Sequence, residues 1–218
     1  MITLYRFPYS CYALKVQLLL DVLALPYEVR DVPFGDRTEL VKVTQGRVQV
    51  PAIVHKRENG SEKVVVESRD ICRYLLGLKA NNLVPKSAAG LIWAYCDWVD
   101  TTLEDPLFKM VSPEIADSFA RDADRAMFIF IKERRYGTGC VSDWAQQKPR
   151  LVAQARDLLA ESLLSIAHQG YLCGDHITLA DIALVGHLAM VKYGRPELLP
   201  EIDPLIPGYM GRVSVNYQ

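Results

Sequence analysis

The chain has 218 residues, half of them hydrophobic, and its formal net charge at pH 7 is −1. A chain of this length can bury one large core or two small ones, and so weak a charge excludes a nucleic-acid partner held by electrostatic attraction. No apolar run approaches the roughly 18 residues that cross a bilayer, and the N-terminus lacks a signal-peptide pattern. We therefore expect a soluble cytoplasmic protein without a membrane partner.

The first predicted elements are a short strand and a helix over residues 10–24, joined by a turn that contains proline. The turn delivers Ser10 and Cys11 to the start of the helix. Backbone N–H groups at a helix N-terminus are unpaired and lie at the positive end of the helix dipole, so a thiolate there is stabilised. This arrangement indicates thiol chemistry at the first turn of the helix.

Three further strands are predicted before residue 80, over residues 27–30, 52–55 and 63–66. Asn59-Gly60 predicts a hairpin turn between the last two strands, because this dipeptide favours the positive φ values of tight turns. Val50-Pro51 precedes the second of these strands, where a sheet admits proline and where an X-Pro bond can take the cis form. Glu67-Ser68 then heads an amphipathic helix, so this part of the chain has an α/β pattern.

From residue 88 onward the pattern is helical, after a turn-rich connector over residues 80–87. We therefore predict one domain over residues 1–79 and a second, all-helical domain over residues 88–218. Three long helices are predicted in it: one that stops or kinks at Pro106, one from Ser112-Pro113 to Gly137, and one from Ser142 to His168. The apolar positions predicted for the second are Phe119, Ala123, Met127 and Phe130.

A capping box begins a further helix, because Thr178 and Asp181 can each satisfy the backbone N–H of the other. This segment and three earlier motifs resemble those of the cytosolic glutathione transferase superfamily, in its bacterial type with a serine or cysteine in the active site. The motifs are Ser10-Cys11-Tyr12-Ala13-Leu14-Lys15-Val16, Val50-Pro51, Glu67-Ser68-x-x-Ile71 and Gly174-Asp175-x-x-Thr178-Leu179-Ala180-Asp181. The resemblance implies a thioredoxin-like α/β N-terminal domain followed by an all-α C-terminal domain.

The resemblance also implies that the protein activates the thiol of glutathione, its cosubstrate, for conjugation to an electrophilic small molecule or for isomerisation, as in detoxification. Ser10 is the preferred catalytic residue, because its hydroxyl can donate to the thiolate and its spacing to Lys15 is that of the serine-type and cysteine-type classes. Cys11 is an alternative that would form a mixed disulfide and make the protein a thiol-disulfide or deglutathionylating oxidoreductase. Tyr5 is a third candidate, and a non-catalytic binding or interaction module remains open.

Glutathione would lie extended along Val50-Pro51, with Glu67 meeting its α-ammonium group and Ser68 its γ-glutamyl carboxylate. Arg47 and Gln49 are candidates for its glycyl carboxylate. An acceptor pocket is predicted near Tyr9, Trp93 and Tyr95.

The resemblance implies a homodimer, in which Asp97 and Asp100 could approach glutathione across the subunit interface. A solvated helix face is the competing interpretation of these two carboxylates. The five cysteines have no metal-ligand spacing, so we expect reduced thiols and no metal.

Overall fold

A computed structural model of the chain describes residues 1–215. Its first part is a four-stranded sheet with three helices: β1 Ile2–Arg6, α1 Cys11–Val22, β2 Tyr27–Asp31, α2 Thr38–Thr44, β3 Ala52–Lys56, β4 Glu62–Val66 and α3 Ser68–Leu76. The strand order is β2-β1-β3-β4, with β1 parallel to β2 and the other neighbouring pairs antiparallel. This is the thioredoxin-like sheet that the sequence predicts.

The central strand β1 sets the position of the helix that follows it. Its residue Leu4 pairs with Val29 on one side and Ile53 on the other, and it is fully buried. Because β3 runs antiparallel to β1 and Ala52 pairs with Tyr5, the turn after β1 brings the N-terminus of α1 to the same end of the sheet as the Val50-Pro51 bond, which is cis. The hairpin predicted at Asn59-Gly60 joins β3 to β4, and Gly60 supplies its positive φ of 79°.

The second part is helical throughout the described residues. Its elements are α4 Ala89–Trp98, a π-helical turn at Val99–Leu103, α5 Glu104–Asp117, α6 Asp122–Tyr136, α7 Cys140–Gln146, α8 Lys148–Gln169, α9 Leu179–Gly194, α10 Leu198–Ile202 and α11 Leu205–Val215. Helix α9 is buried along nearly its whole length and packs between α1 and α5. Within residues 1–215, no helix is both long and apolar enough to span a membrane.

The predicted capping box at the start of α9 is confirmed. The Asp181 carboxylate accepts hydrogen bonds from the backbone N–H of Thr178 at 2.9 Å and from its hydroxyl at 2.8 Å. It also accepts hydrogen bonds from the N–H of Leu172 and from the hydroxyl of Tyr209. The cap therefore anchors α11 and the preceding loop to α9 as well as beginning the helix.

The prediction that a helix begins at Ser112-Pro113 is wrong, because Pro113 lies inside α5. Val111 and Ile115 are fully buried on either side of it, and this burial offsets the hydrogen bond that proline removes. Pro106 does not stop the helix either. It lies in the first turn of α5, directly after the π-helical turn, where the regular hydrogen-bond ladder is already interrupted.

Two further helices differ from the prediction, one in its boundaries and one in its buried face. The helix expected over residues 142–168 is two helices, because α8 begins anew at Lys148 with Pro149 in its first turn. Gly170 ends α8 in the left-handed conformation, as its residue type suggests. In α6 the buried aromatic residue is Phe128, whereas the predicted apolar positions Met127 and Phe130 are exposed. Gly137 ends α6 as predicted.

Candidate active site

A cleft of two connected parts lies between one end of the sheet and helices α4 to α6. The polar part has a volume of about 420 Å³ and the apolar part about 350 Å³. Tyr12, Gln49 and Val50 line both parts and join them. The residues that line only the polar part are Arg47, Pro51, Val66, Glu67, Ser68, Arg69, Asp97 and Asp100.

The polar part is lined by all the residues predicted to bind the backbone and charged ends of glutathione, namely Arg47, Gln49, Val50, Pro51, Glu67 and Ser68. Glu67 has a φ of 66° and a ψ of 121°, a conformation that costs a non-glycine residue about 1–3 kcal/mol. Ser68 follows it as the first residue of α3, so its backbone N–H is one of the unpaired groups of that helix. The strained residue and the helix N-terminus therefore meet opposite the backbone of Val50.

Asp97 and Asp100 also line the polar part, but each has a partner within the same chain. Asp97 pairs with Arg69, and the Asp100 carboxylate accepts hydrogen bonds from the ammonium group of Lys15 at 2.6 and 2.7 Å. The hydroxyl of Tyr12 donates to the backbone carbonyl of Asp100 at 2.8 Å. The contacts of Asp100 connect the first turns of α1 to the π-helical turn, and the Arg69–Asp97 pair connects α3 to α4.

The buried Lys15–Asp100 pair has a third neighbour in α9. His187 Nε2 lies 3.5 Å from the Asp100 carboxylate, and its Nδ1 lies 2.9 Å from the carbonyl of Ala183. Burial lowers the pKa of His187 to about 4, and the charge of Asp100 offsets this effect only in part. The imidazole is therefore neutral at pH 7, and the ion pair beside it belongs to Lys15 and Asp100.

The three predicted catalytic residues lie in different environments. Ser10 is the N-cap of α1, is half-buried and lines the apolar part, where its hydroxyl oxygen accepts a long 3.4 Å hydrogen bond from the N–H of Ala13. Cys11 lines the apolar part as well but is only 2% exposed, and burial, with Glu104 and Asp100 adding to it, raises the pKa of its thiol. Tyr5 is buried in β1 and lines neither part of the cleft, and burial raises its pKa as well.

The three residues predicted for an acceptor pocket are also separated. Tyr9 lines the apolar part, and its buried hydroxyl has no hydrogen-bond partner among residues 1–215. Trp93 and Tyr95 line neither part of the cleft. Trp93 faces α3, where the guanidinium groups of Arg69 and Arg73 lie over its ring, whereas the hydroxyl of Tyr95 pairs with Ser162 of α8 at 2.9 Å.

Most residues of the apolar part carry no sequence signal that marks them as a site. They come from segments far apart in the chain: Phe7, Phe34, Arg37, Val48, Glu104, Phe108, Phe128, Ile131, Lys132 and Met190. The sequence predicts only that Lys132 complements the dipole at the end of a helix. In the folded chain its side chain instead reaches the apolar part, where burial lowers its pKa to about 8.

Two family models match the chain, the glutathione S-transferase N-terminal domain over residues 4–82 and the glutathione S-transferase C-terminal domain over residues 127–214. Together they cover more than half of the chain, in the order that the two parts of the fold follow. The chain belongs to the glutathione S-transferase superfamily and has its fold.

Solved structures agree with this fold at low sequence identity. A glutathione S-transferase of Ceriporiopsis subvermispora in complex with glutathione is 18% identical with a TM-score of 0.81, covering 99% of this chain and 96% of that one. A glutathione S-transferase of Rhodospirillum rubrum is 20% identical with a TM-score of 0.71, covering 98% of this chain and 87% of that one. Glutaredoxin 2 of Salmonella typhimurium in complex with glutathione is 18% identical with a TM-score of 0.68, covering 96% of this chain and 98% of that one. No curated protein sequence matches the chain.

Proposed function

We propose that the protein binds glutathione in the polar part of the cleft and transfers it to an electrophilic small molecule bound in the apolar part. One observation carries this proposal: the two parts meet at Tyr12, Gln49 and Val50, so a single extended ligand along Val50 can reach from Glu67 to Ser10. Superfamily membership and the glutathione-bound neighbours support the same conclusion.

The proposed contacts use the chemistry of each end of the tripeptide. The backbone of Val50, which directly precedes Pro51 at the end of the sheet, pairs with the ligand backbone as an added strand would. Glu67 takes the α-ammonium group, and Ser68, at the N-terminus of α3, takes the γ-glutamyl carboxylate. Arg47 and Gln49, which are exposed at the polar part, are the proposed donors to the glycyl carboxylate.

The proposed activation relies on Ser10. A hydroxyl that donates to the glutathione sulfur, beside the positive end of α1, lowers the pKa of the thiol by about 2 units, or ~3 kcal/mol. The thiol proton leaves to solvent, the sulfur forms a bond to the electrophilic carbon, and the leaving group departs with its electron pair. An isomerisation would use the same thiolate by reversible addition.

A thiol-disulfide oxidoreductase that works through Cys11 is the second candidate, supported by the likeness to glutaredoxin 2. The burial and raised pKa of Cys11 argue against it, because the thiolate is the nucleophile in such exchange. Tyr5 is less favoured still, because it lies outside both parts of the cleft. A non-catalytic module would bind glutathione without either reaction.

Thermal unfolding in millimolar glutathione tests the binding proposal. Ligand at ten to a hundred times its dissociation constant stabilises a protein by about 1–3 kcal/mol, so the melting temperature should rise. Glu67→Ala should remove most of this rise, whereas Glu58→Ala, at an exposed position of the hairpin turn, should retain it. An unchanged rise in Glu67→Ala would show that Glu67 does not hold the ligand.

Turnover of an aryl halide and of a glutathione mixed disulfide then separates the three functions. A transferase consumes the aryl halide, and an oxidoreductase consumes the mixed disulfide. Binding of glutathione with neither reaction would favour the non-catalytic module and count against the proposed transferase.

A further inference from the structure

The apolar part of the cleft contains one feature that activation of glutathione does not use, the side chain of Lys132. Aromatic rings dominate the walls around it, contributed by Phe7, Tyr9, Phe34, Phe108 and Phe128. The ammonium group lies 4.2 Å from the ring centroid of Phe108 and 5.1 Å from that of Phe128. A ring face attracts a cation, but it accepts no conventional hydrogen bond from the three N–H donors of a lysine.

Within residues 1–215 no hydrogen bond or ion pair holds this ammonium group, and Glu104 acts on it only through its charge. Lys15 differs in this respect, because it is paired with Asp100, which lines the polar part. Long charged side chains usually extend to solvent, yet Lys132 is partly buried against two rings. Its donors are thus available to a molecule in the apolar part.

The charges around Lys132 leave a positive balance. Glu104 lines the same part, and its charge raises the pKa of Lys132, so it balances one of the two cations that line this part. Arg37 contributes a second cation, whose guanidinium group lies over the rings of Phe34 and Phe7 at 4.7 and 5.1 Å. An anion is therefore better matched to this wall than a cation or a purely apolar group.

We propose that the acceptor substrate is a flat aromatic compound that carries a carboxylate, and that the ammonium group of Lys132 binds this carboxylate while the aromatic walls hold the ring. The inference rests on the proposed function, because it concerns the acceptor of the glutathione thiolate. Lys132 is then a specificity-determining residue, and Ser10 acts on the thiol independently of it. A charge-assisted hydrogen bond in a partly desolvated pocket supplies the discrimination.

A pair of aryl chlorides that differ in charge tests this inference, namely 4-chloro-3-nitrobenzoate and 4-chloro-3-nitrobenzamide. In each reaction the glutathione sulfur bonds to the ring carbon, chloride leaves with the bonding electrons, and the thiol proton goes to solvent. The measured quantity is the ratio of kcat/KM for the benzoate to that for the amide. Comparing this ratio between variants cancels the different intrinsic reactivities of the two compounds.

Lys132→Gln should lower the ratio by ~10- to 100-fold, because it removes the charged partner of the carboxylate. Lys132→Arg, which keeps the charge, should retain most of the preference. Lys86→Gln makes the same change at an exposed position of the connector and should leave the ratio unaltered. A ratio in Lys132→Gln that stays within twofold of the unmodified protein, with the amide still consumed, would overturn the inference.

A binding measurement keeps the inference testable if neither aryl chloride is consumed. Calorimetric titration of 4-nitrobenzoate and 4-nitrobenzamide, with S-methylglutathione present, reports recognition without chemistry. Weaker binding of the benzoate to Lys132→Gln, with binding of the amide unchanged, would support the inference even though transferase activity had failed. Equal affinity of Lys132→Gln and the unmodified protein for the benzoate would overturn it whatever the activity.

Discussion

Two neighbouring residues at the start of α1 differ in their suitability for thiol chemistry. Both line the apolar part of the cleft, but Ser10 is half-buried whereas Cys11 is only 2% exposed. The helix dipole acts on both residues, but it stabilises a thiolate only weakly against the cost of complete burial. We therefore expect the hydroxyl to act on the thiol of the ligand and the protein thiol to be unreactive.

Ser10→Ala should reduce conjugation at neutral pH by ~10- to 100-fold, because each unit of thiol pKa that is lost leaves tenfold less thiolate. The pH dependence of kcat/KM should shift to higher pH by the same change in thiol pKa, about 1 to 2 units. Ser10→Thr retains a hydroxyl and an N-cap and serves as the matched control. Unchanged kinetics in Ser10→Ala would exclude Ser10 as the activating residue.

Cys11 should resist alkylation by iodoacetamide at pH 7, because a buried thiol with a raised pKa is neither accessible nor ionised. Cys173 is exposed and should react first. Mass spectrometry of the alkylated peptides measures both rates. Preferential labelling of Cys11, together with loss of mixed-disulfide reduction in Cys11→Ala, would favour the oxidoreductase instead.

The preference for an aromatic carboxylate should depend on pH with a midpoint of about 8, the value to which burial lowers the pKa of Lys132. Below this pH the ammonium group is charged and binds the carboxylate, and above it the preference is lost. Glu104, Arg37, Arg135 and Cys11 face the same group and affect the midpoint. The benzoate-to-amide ratio of kcat/KM between pH 6 and 10 measures it, because that parameter reports the free enzyme. A ratio that is flat through this range would contradict the assignment to Lys132.

At the scale of elements, the contact between α1 and α9 holds the active-site helix in place. A Cβ atom at Gly186 would lie 2.7 Å from both the N and the Cα of Lys15, so only glycine allows the two backbones this close approach. The same stretch of α1 carries the Lys15–Asp100 pair. Packing of α9 therefore determines where Ser10 lies relative to the cleft.

Gly186→Ala should destabilise the protein by about 1–3 kcal/mol, because the helix backbones must separate to admit the methyl group. The melting temperature should fall by at least about 2 °C for a chain of this size. Gly90→Ala in α4 is the matched control, since open space surrounds that position and alanine favours the helix. Equal stability of Gly186→Ala and the unmodified protein would show that α1 and α9 can adjust without cost.

At the scale of the whole molecule, the sheet and the helical part share one continuous hydrophobic core. We expect two chains to associate as a two-fold homodimer, as the resemblance to the transferases implies. Leu91 on α4 is 77% exposed and is an apolar side chain that such an interface can cover. Sedimentation equilibrium should give about twice the chain mass of 24.6 kDa. A monomer at micromolar concentration would contradict this. Asp97 and Asp100 would then act only through their partners within the chain, Arg69 and Lys15, and not across a subunit interface.

Signals that act over a few residues were enough to predict much of this fold from the sequence. The hairpin at Asn59-Gly60, the cap at Thr178 and the helix end at Gly170 follow from backbone preferences and hydrogen bonds within one turn. Val50-Pro51 and Glu67-Ser68, the short motifs for which the resemblance implies glutathione contacts, both line the polar part. The positions of these residues opposite each other follow from the order of the strands.

Only the tertiary structure decided the features that depend on burial between distant segments. Pro113 remains within α5 because its neighbours are buried, an effect that outweighs the preference of proline for a helix start. Trp93 and Tyr95 lie away from the cleft because α4 turns those side chains toward α3 and α8. Lys132 reaches the apolar part from α6, while the rings beside it come from α5 and α6. Periodicity identifies the faces of each helix, but the chemistry of a shared cavity depends on which faces meet when the chain folds.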